Sequence, residues 1–166
     1  MRHSFLIGLT AALFSATAYA QLEMPKSTPE AQESAVRALM DLARKNLPKT
    51  HLPDGSPMPA ETEEDLKKPV VPVEDAKRVM KDSAGAAIIE WCQLDPKPTY
   101  MKFMHGEYKK HIWSDKQIIY MGLLYGMSQD ILVHEWERRK GACTDDERDA
   151  LKRDLKNMGM AGADAE

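Results

Sequence analysis

Apolar residues recur at intervals of three and four along most of this chain, and that spacing narrows the choice of fold more than any other feature. Residues with this spacing share one face of an α-helix. The pattern runs from Val36 to Leu47, from Ala76 to Trp91, from about 98 to 111, from about 115 to 139, and from Leu151 to Met158. We therefore predict an all-α fold, a small helical bundle of about five helices.

Short motifs mark the ends of these helices. Thr28-Pro29-Glu30 places a capping hydroxyl, a proline and an acid in the order expected at a helix start. Ser114-Asp115-Lys116-Gln117 and Thr144-Asp145-Asp146-Glu147 have the form of capping boxes. The fourth helix is apolar almost all round from Ile118 to Met127, so we expect it at the centre of the bundle. Gly141 is expected to end it.

A proline-rich segment separates the first helix from the rest. Six prolines fall in residues 48–72, together with Gly55 and an acidic run from Glu61 to Asp65. Little in this segment can be buried, so we predict an amino-terminal arm that is either an exposed linker or wraps around the bundle. Its first half is a candidate for disorder.

The first twenty residues have the order of a secretory signal peptide. Arg2 is followed by an apolar run from Phe5 to Phe14 and by small residues that end in Ala18-Tyr19-Ala20. The apolar run is about ten residues long, whereas a membrane-spanning helix needs about twenty. We expect cleavage after Ala20 and a periplasmic or secreted product without stable membrane insertion.

Length and charge place limits on organisation and partners. Residues 1–20 are the predicted signal peptide, 21–72 the first helix and arm, 73–159 a helical domain, and 160–166 a flexible tail. The chain of 166 residues carries a net charge of −3. A mildly acidic chain lacks the excess of positive charge that is typical of proteins that bind nucleic acid, so we expect no nucleic-acid partner.

Cys92 and Cys143 are the only two cysteines, and both lie at predicted helix ends. Because exported compartments are oxidising, an even cysteine count favours a structural disulfide between them. Two free thiols, or a thiol linked to a partner, are the alternatives. A catalytic redox pair is less favoured because the two cysteines are not in a C-x-x-C motif.

Other residues offer weak signals for chemistry. His105, Glu107 and His111 share a short helix, but the two histidines are six positions apart, whereas zinc ligands on one helix are usually three or four apart. Asp130 and His134 have the spacing of neighbours on a helix, yet no G-x-S-x-G element or glycine-rich phosphate loop accompanies them. We therefore predict no catalytic residue, cofactor or metal, and an enzyme is the less favoured class.

Aromatic residues and methionines are concentrated in the second half of the chain. They fill ordinary cores, but any that remain exposed would form a binding surface. The residues predicted for such a surface are Trp91, Tyr100, Phe103, Trp113, Tyr125 and Trp136. Gly122 and Gly126 lie four apart on one helix face, where close helix packing or a ligand crevice are the two interpretations.

Residues 91–158 resemble the small periplasmic acid-stress chaperones of the HdeA type. The resemblance rests on an early cysteine and on Cys143-Thr144-Asp145-Asp146, which begins the last helix and is followed by Lys152 and Lys156. It implies a disulfide-closed helical architecture and the holding of client proteins under acid stress.

Three functional hypotheses follow from these patterns. The leading one is an exported binding or protective protein that acts by protein–protein contact on an unknown partner or client, in a chaperone-like manner in one version. The second is an inhibitor or immunity-type protein. The third is a helical ligand carrier or enzyme that uses the Gly122/Gly126 face. An open apolar patch would favour the first two, and a closed pocket with converging polar groups would favour the third.

Overall fold

The computed structural model describes residues 28–160, and within them it confirms an all-α fold closed by one disulfide. The predicted signal peptide at 1–20 and most of the predicted tail lie outside the described residues. Five long helices match the predicted ones, and two short helical turns follow α1: a 3-10 turn (Leu47–Lys49) and α2. The helices are α1 (Pro29–Asn46), α2 (Glu63–Leu66), α3 (Val73–Trp91), α4 (Lys97–Lys109), α5 (Asp115–Lys140) and α6 (Asp145–Asn157).

The predicted helix caps are present. The Thr28 hydroxyl accepts a hydrogen bond from the backbone N–H of Ala31 at the start of α1. Complete capping boxes, headed by Ser114 and Thr144, begin α5 and α6. Gly141 ends α5 with a φ of 79°, a conformation that glycine adopts without the steric cost of a Cβ atom.

Helix α5 lies at the centre of the bundle, as its lack of a polar face predicted. It packs against α1, α3 and α4, and Tyr120, Met121 and Leu124 are among its buried residues. The hydroxyl of Tyr120 donates a hydrogen bond to the backbone carbonyl of Met40, 2.8 Å away, which joins α5 to α1.

Small side chains bring α3 close to α5. Ala76, Ala86 and Ala87 are fully buried on α3. Ser83 of α3 donates a buried hydrogen bond of 2.9 Å to the hydroxyl of Ser128 on α5, so the two polar groups satisfy each other inside the interface.

A second hydrophobic cluster surrounds the disulfide and holds α6. The Cα atoms of Cys92 and Cys143 are 4.9 Å apart, within the ordinary range for a disulfide. Leu151 and Leu155 of α6 are buried in this cluster. Arg148 donates a hydrogen bond of 2.9 Å from its Nε to the carbonyl of Cys92, so α6 is attached to the end of α3 by polar, apolar and covalent contacts.

The proline-rich arm wraps around the bundle. The structure therefore favours a wrapping arm over an exposed linker. Residues 50–58 form a hydrogen-bonded turn that returns the chain on itself, and Met58 is buried in the main core. Val71 is also fully buried, directly before α3. The first half of the arm is therefore ordered by its own turn and by the apolar contacts of Met58 and Leu52 with the core.

Candidate functional site

The six aromatic residues predicted to form one binding surface lie in separate places, and two of them are buried. Trp91 is 6% exposed because it packs against Trp136, with ring centroids 5.0 Å apart. Tyr125 is fully buried beneath Tyr100 and Phe103. Trp91 and Tyr125 therefore cannot belong to an exposed surface, which corrects the prediction for these two residues.

The other four predicted residues are half-buried. Tyr100 and Phe103 lie between α4 and α5. Trp113 lies in the turn between these helices and donates a hydrogen bond to Glu107. Trp136 lies at the disulfide end of α5, where the ammonium group of Lys140 lies 4.8 Å from its ring centroid. The set is thus divided between two ends of α5.

An open apolar groove lies between α4 and α5, beside Tyr100. We call it the α4–α5 groove, and its volume is about 340 Å³. It is lined by Tyr100, Met104, Ile118, Ile119, Gly122 and Leu123.

Gly122 shapes this groove, whereas Gly126 does not. A Cβ atom at position 122 would lie 3.0 Å from the Tyr100 hydroxyl oxygen, so the missing side chain lets α4 approach α5. No side chain lies within 4 Å of the corresponding position at Gly126. Helix packing thus accounts for Gly122, and the pair does not act as one contact surface.

The chemistry that the groove offers is almost entirely apolar. Tyr100 supplies the only hydroxyl among the lining side chains, and burial raises its pKa, so this group stays neutral at ordinary pH. No charged side chain is among the residues that line it. Such a groove can accept apolar side chains and lacks the convergent polar groups typical of a site for a small polar ligand.

Next to the groove, a buried carboxylate fixes the position of α4. Glu107 is 4% exposed and accepts hydrogen bonds from Arg78 of α3 at 2.6 and 3.1 Å. Lys110 and the indole N–H of Trp113 donate to the same carboxylate, at 2.9 and 3.1 Å respectively. Burial would raise the pKa of Glu107, but the bonds from Arg78 and Lys110 outweigh it and leave this pKa below its usual value.

The arm is held by a second carboxylate of the same type. Glu61 accepts two hydrogen bonds from Arg44 of α1, at 2.7 and 2.9 Å, and forms an ion pair of 2.9 Å with Lys116 of α5. The hydrogen bonds from Arg44 lower the pKa of Glu61 and outweigh its partial burial. One side chain therefore connects the arm to two helices.

The structure separates the groups considered for metal binding and acid–base chemistry. Glu107 points into the bundle, whereas His105 and His111 are exposed. His134 contacts Glu137 at 3.3 Å, and no hydrogen bond joins it to Asp130. In the described part of the chain, no three His, Cys, Asp or Glu side chains are grouped as ligands for a metal ion.

No protein-family model matches this chain, and neither a curated protein nor a solved structure matches it. Within residues 28–160, no helix combines the length and apolar character needed to cross a bilayer. Function is therefore inferred from the α4–α5 groove and from the charges around it.

Proposed function

We propose that this is an exported binding protein that acts by protein–protein contact and holds apolar segments of other proteins in the α4–α5 groove. The observation that carries the proposal is the groove itself, which is open to solvent and lined by apolar side chains around Gly122. Apolar side chains in such an open groove can be covered by apolar side chains of another protein, which removes them from water. The proposal also includes the chaperone-like version, in which clients are held under acid stress.

Two features favour protein contact over a ligand carrier or an enzyme. The groove is open, so it would cover only one side of a bound molecule, and the Tyr100 hydroxyl is the single polar side-chain group in its lining. A carrier normally encloses most of its ligand and fixes it with several placed polar groups. An apolar stretch of an unfolded or partly folded protein can be bound without being enclosed and without several placed polar groups.

The acid version draws support from Glu61 and Glu107. Both carboxylates are held by two cations each, and both lie where helices or the arm are attached to the bundle. Protonation in acid removes the charge that these cations bind, so the attachments of the arm and of α4 weaken together. Weaker attachment of α4 would enlarge the apolar surface beside the groove.

The test is suppression of aggregation by the purified protein. We expect it to reduce light scattering from an acid-unfolded dehydrogenase near pH 3, and to have less effect on reduced insulin near pH 7. Ile119→Lys places a charge in the groove and should abolish the suppression. Ile131→Lys is the matched control, because Ile131 lies on the same helix, is 54% exposed and does not line the groove.

The outcomes separate the versions of the proposal. Full suppression by folded Ile119→Lys protein would exclude the groove, and absence of suppression at both pH values would exclude client holding. An inhibitor or immunity-type protein would instead form a stoichiometric complex with one partner. In that case Ile119→Lys, but not Ile131→Lys, should break the complex.

A further inference from the structure

The outer face of α4 carries positive charge without neutralising partners. Lys97, Lys102 and Lys109 are exposed, and none of them forms an ion pair with a residue in 28–160. His105 is exposed beside them. The one acidic residue of α4, Glu107, is buried and already paired. A basic helix face therefore stands out on a chain whose net charge is −3.

Large apolar side chains protrude from the same face. Met101, Tyr108 and Ile112 are 53%, 59% and 67% exposed. Met101 and Tyr108 are seven residues apart on α4 and therefore share one side of it, and Ile112 follows in the turn after the helix. His111 adopts a left-handed conformation with a φ of 54°, which ends α4 and leaves Ile112 at the tip of the turn before α5.

We propose that this surface, the α4 basic face, binds the anionic headgroups of a lipid membrane. We define it by Met101, Lys102, His105, Tyr108, Lys109 and Ile112. The lysines would contact lipid phosphates, while the three apolar side chains enter the boundary between headgroups and acyl chains. A helix with lysines on one side and aromatic or aliphatic residues on the neighbouring side is typical of segments that lie in the plane of a membrane surface.

The shape of the face favours a membrane over an acidic protein. Its side chains lie around the outside of one helix and a turn, and none of the six lines the α4–α5 groove. Met101 and Tyr108 lie seven residues apart, about 10 Å along α4, so they form separate protrusions with Lys102 and Lys109 beside them. A soft lipid surface can accommodate such isolated protrusions, whereas a protein partner would need a matching set of cavities. The bundle does not need to open, because Glu107 holds the opposite side of α4 against α3.

The test is co-sedimentation of the purified full chain with vesicles. We expect binding to vesicles of phosphatidylglycerol and phosphatidylethanolamine, no binding to pure phosphatidylcholine, and loss of binding in high salt. Lys102→Glu/Lys109→Glu should weaken the binding by at least about tenfold, because each cation near an anionic surface contributes separately. Arg153→Glu/Lys156→Glu on α6 makes the same change in net charge and should bind like the wild type.

Residues 1–27 are common to all variants, so a difference between the α4 and α6 variants reports on the α4 basic face and not on that segment. Failure of the wild type to bind anionic vesicles would overturn the proposal, as would equal losses in the α4 and α6 variants. Unchanged binding of Met101→Ser/Ile112→Ser would contradict entry of the apolar side chains. Binding to soluble polyglutamate but not to vesicles would assign the face to an acidic protein. The client assay contains no lipid, so its result is independent of this one.

Discussion

Two buried tyrosines on α5 differ in a single hydrogen bond. The hydroxyl of Tyr120 donates to the Met40 carbonyl, whereas the buried hydroxyl of Tyr125 has no hydrogen-bond partner in residues 28–160. A buried polar group without a partner loses its bonds to water and gains nothing in exchange. The hydroxyl of Tyr120 therefore stabilises the fold, whereas the hydroxyl of Tyr125 destabilises it.

Substitution by phenylalanine should reveal this difference. We expect Tyr125→Phe to leave the free energy of unfolding unchanged or to raise it by about 1 kcal/mol, and Tyr120→Phe to lower it by about 1 kcal/mol. Urea unfolding near pH 7 measures both values. Equal losses in the two variants would mean that Tyr125 has a hydrogen-bond partner in solution.

Glu107 is the residue whose ionisation matters most for the position of α4. The pKa of Glu107 is lower in the folded protein than in the unfolded chain. The charged carboxylate therefore stabilises the fold fully above the unfolded pKa of about 4.3, and this stabilisation is lost as the pH falls through the lower folded pKa. We expect Glu107→Gln to reduce the free energy of unfolding near pH 7 by about 1.5 to 3 kcal/mol, the range for hydrogen bonds to charged groups.

The pH profile distinguishes this effect from a packing defect. The difference between wild type and Glu107→Gln should shrink as the pH falls below about 4 and disappear below the lowered folded pKa, where the wild-type carboxyl is neutral as well. Glu33→Gln is the control, since Glu33 pairs with Arg37 at the surface of α1 and should have little influence at any pH. A difference that stays constant down to pH 2 would contradict the assigned role of the charge.

The roles of such residues depend on distant parts of the chain, which explains why sequence patterns missed them. Arg78 and Glu107 are 29 positions apart, and Arg44 and Glu61 are 17 apart. The burial of Trp91 and Tyr125 likewise follows from where α4 and α6 pack. The sequence shows Glu107 as a single acid among the lysines of α4, but it does not identify Arg78 as the partner of this acid.

At the scale of elements, the arm is attached chiefly through Arg44. Besides its two bonds to Glu61, this guanidinium donates to the backbone carbonyls of Asp65, at 2.6 Å, and of Lys68, at 2.9 Å. Arg44 therefore fixes both the middle of the arm and the end of α2. Arginine suits this task because its planar group presents several donors in a rigid arrangement.

Removing this guanidinium should loosen the arm without unfolding α1. We expect Arg44→Met, which keeps most of the apolar stem, to increase the rate of limited proteolysis within residues 48–68 severalfold. Arg37→Met is the matched control, because the side-chain hydrogen bonds of Arg37 are made to Glu33 of its own helix and not to the arm, so this change should leave the rate unchanged. First cleavage inside α5 in either variant would contradict the separate attachment of the arm.

Helix positions were predictable to within a few residues because their signals are local. The caps at Thr28, Ser114 and Thr144 act within three or four residues, so the sequence alone contains them. The start of α4 at Lys97 and its end at Lys109 differ slightly from the predicted range of 98 to 111, since His111 adopts a left-handed conformation. The short helix α2 went unpredicted because it has no apolar stripe.

At the scale of the whole molecule, the disulfide is the strongest single constraint. It joins residues separated by 51 positions, and the chain-entropy estimate for such a loop is about 4 kcal/mol. We expect Cys92→Ser/Cys143→Ser to lower Tm by about 10 °C or more. Calorimetry of the variant and of the reduced wild type should agree, and an unchanged Tm would contradict a structural role for the bond.

The closed covalent loop also determines how the molecule tolerates damage to its backbone. Residues 93–142 lie inside the loop, and both the α4–α5 groove and the α4 basic face belong to this stretch. A single break there leaves two pieces that remain one molecule, each still next to its neighbours. A single break in the arm, outside the loop, leaves α1 attached to α5 by noncovalent contacts alone. Whether the fragments stay covalently joined after a first proteolytic cut therefore depends on whether the cut falls inside the loop or in the arm.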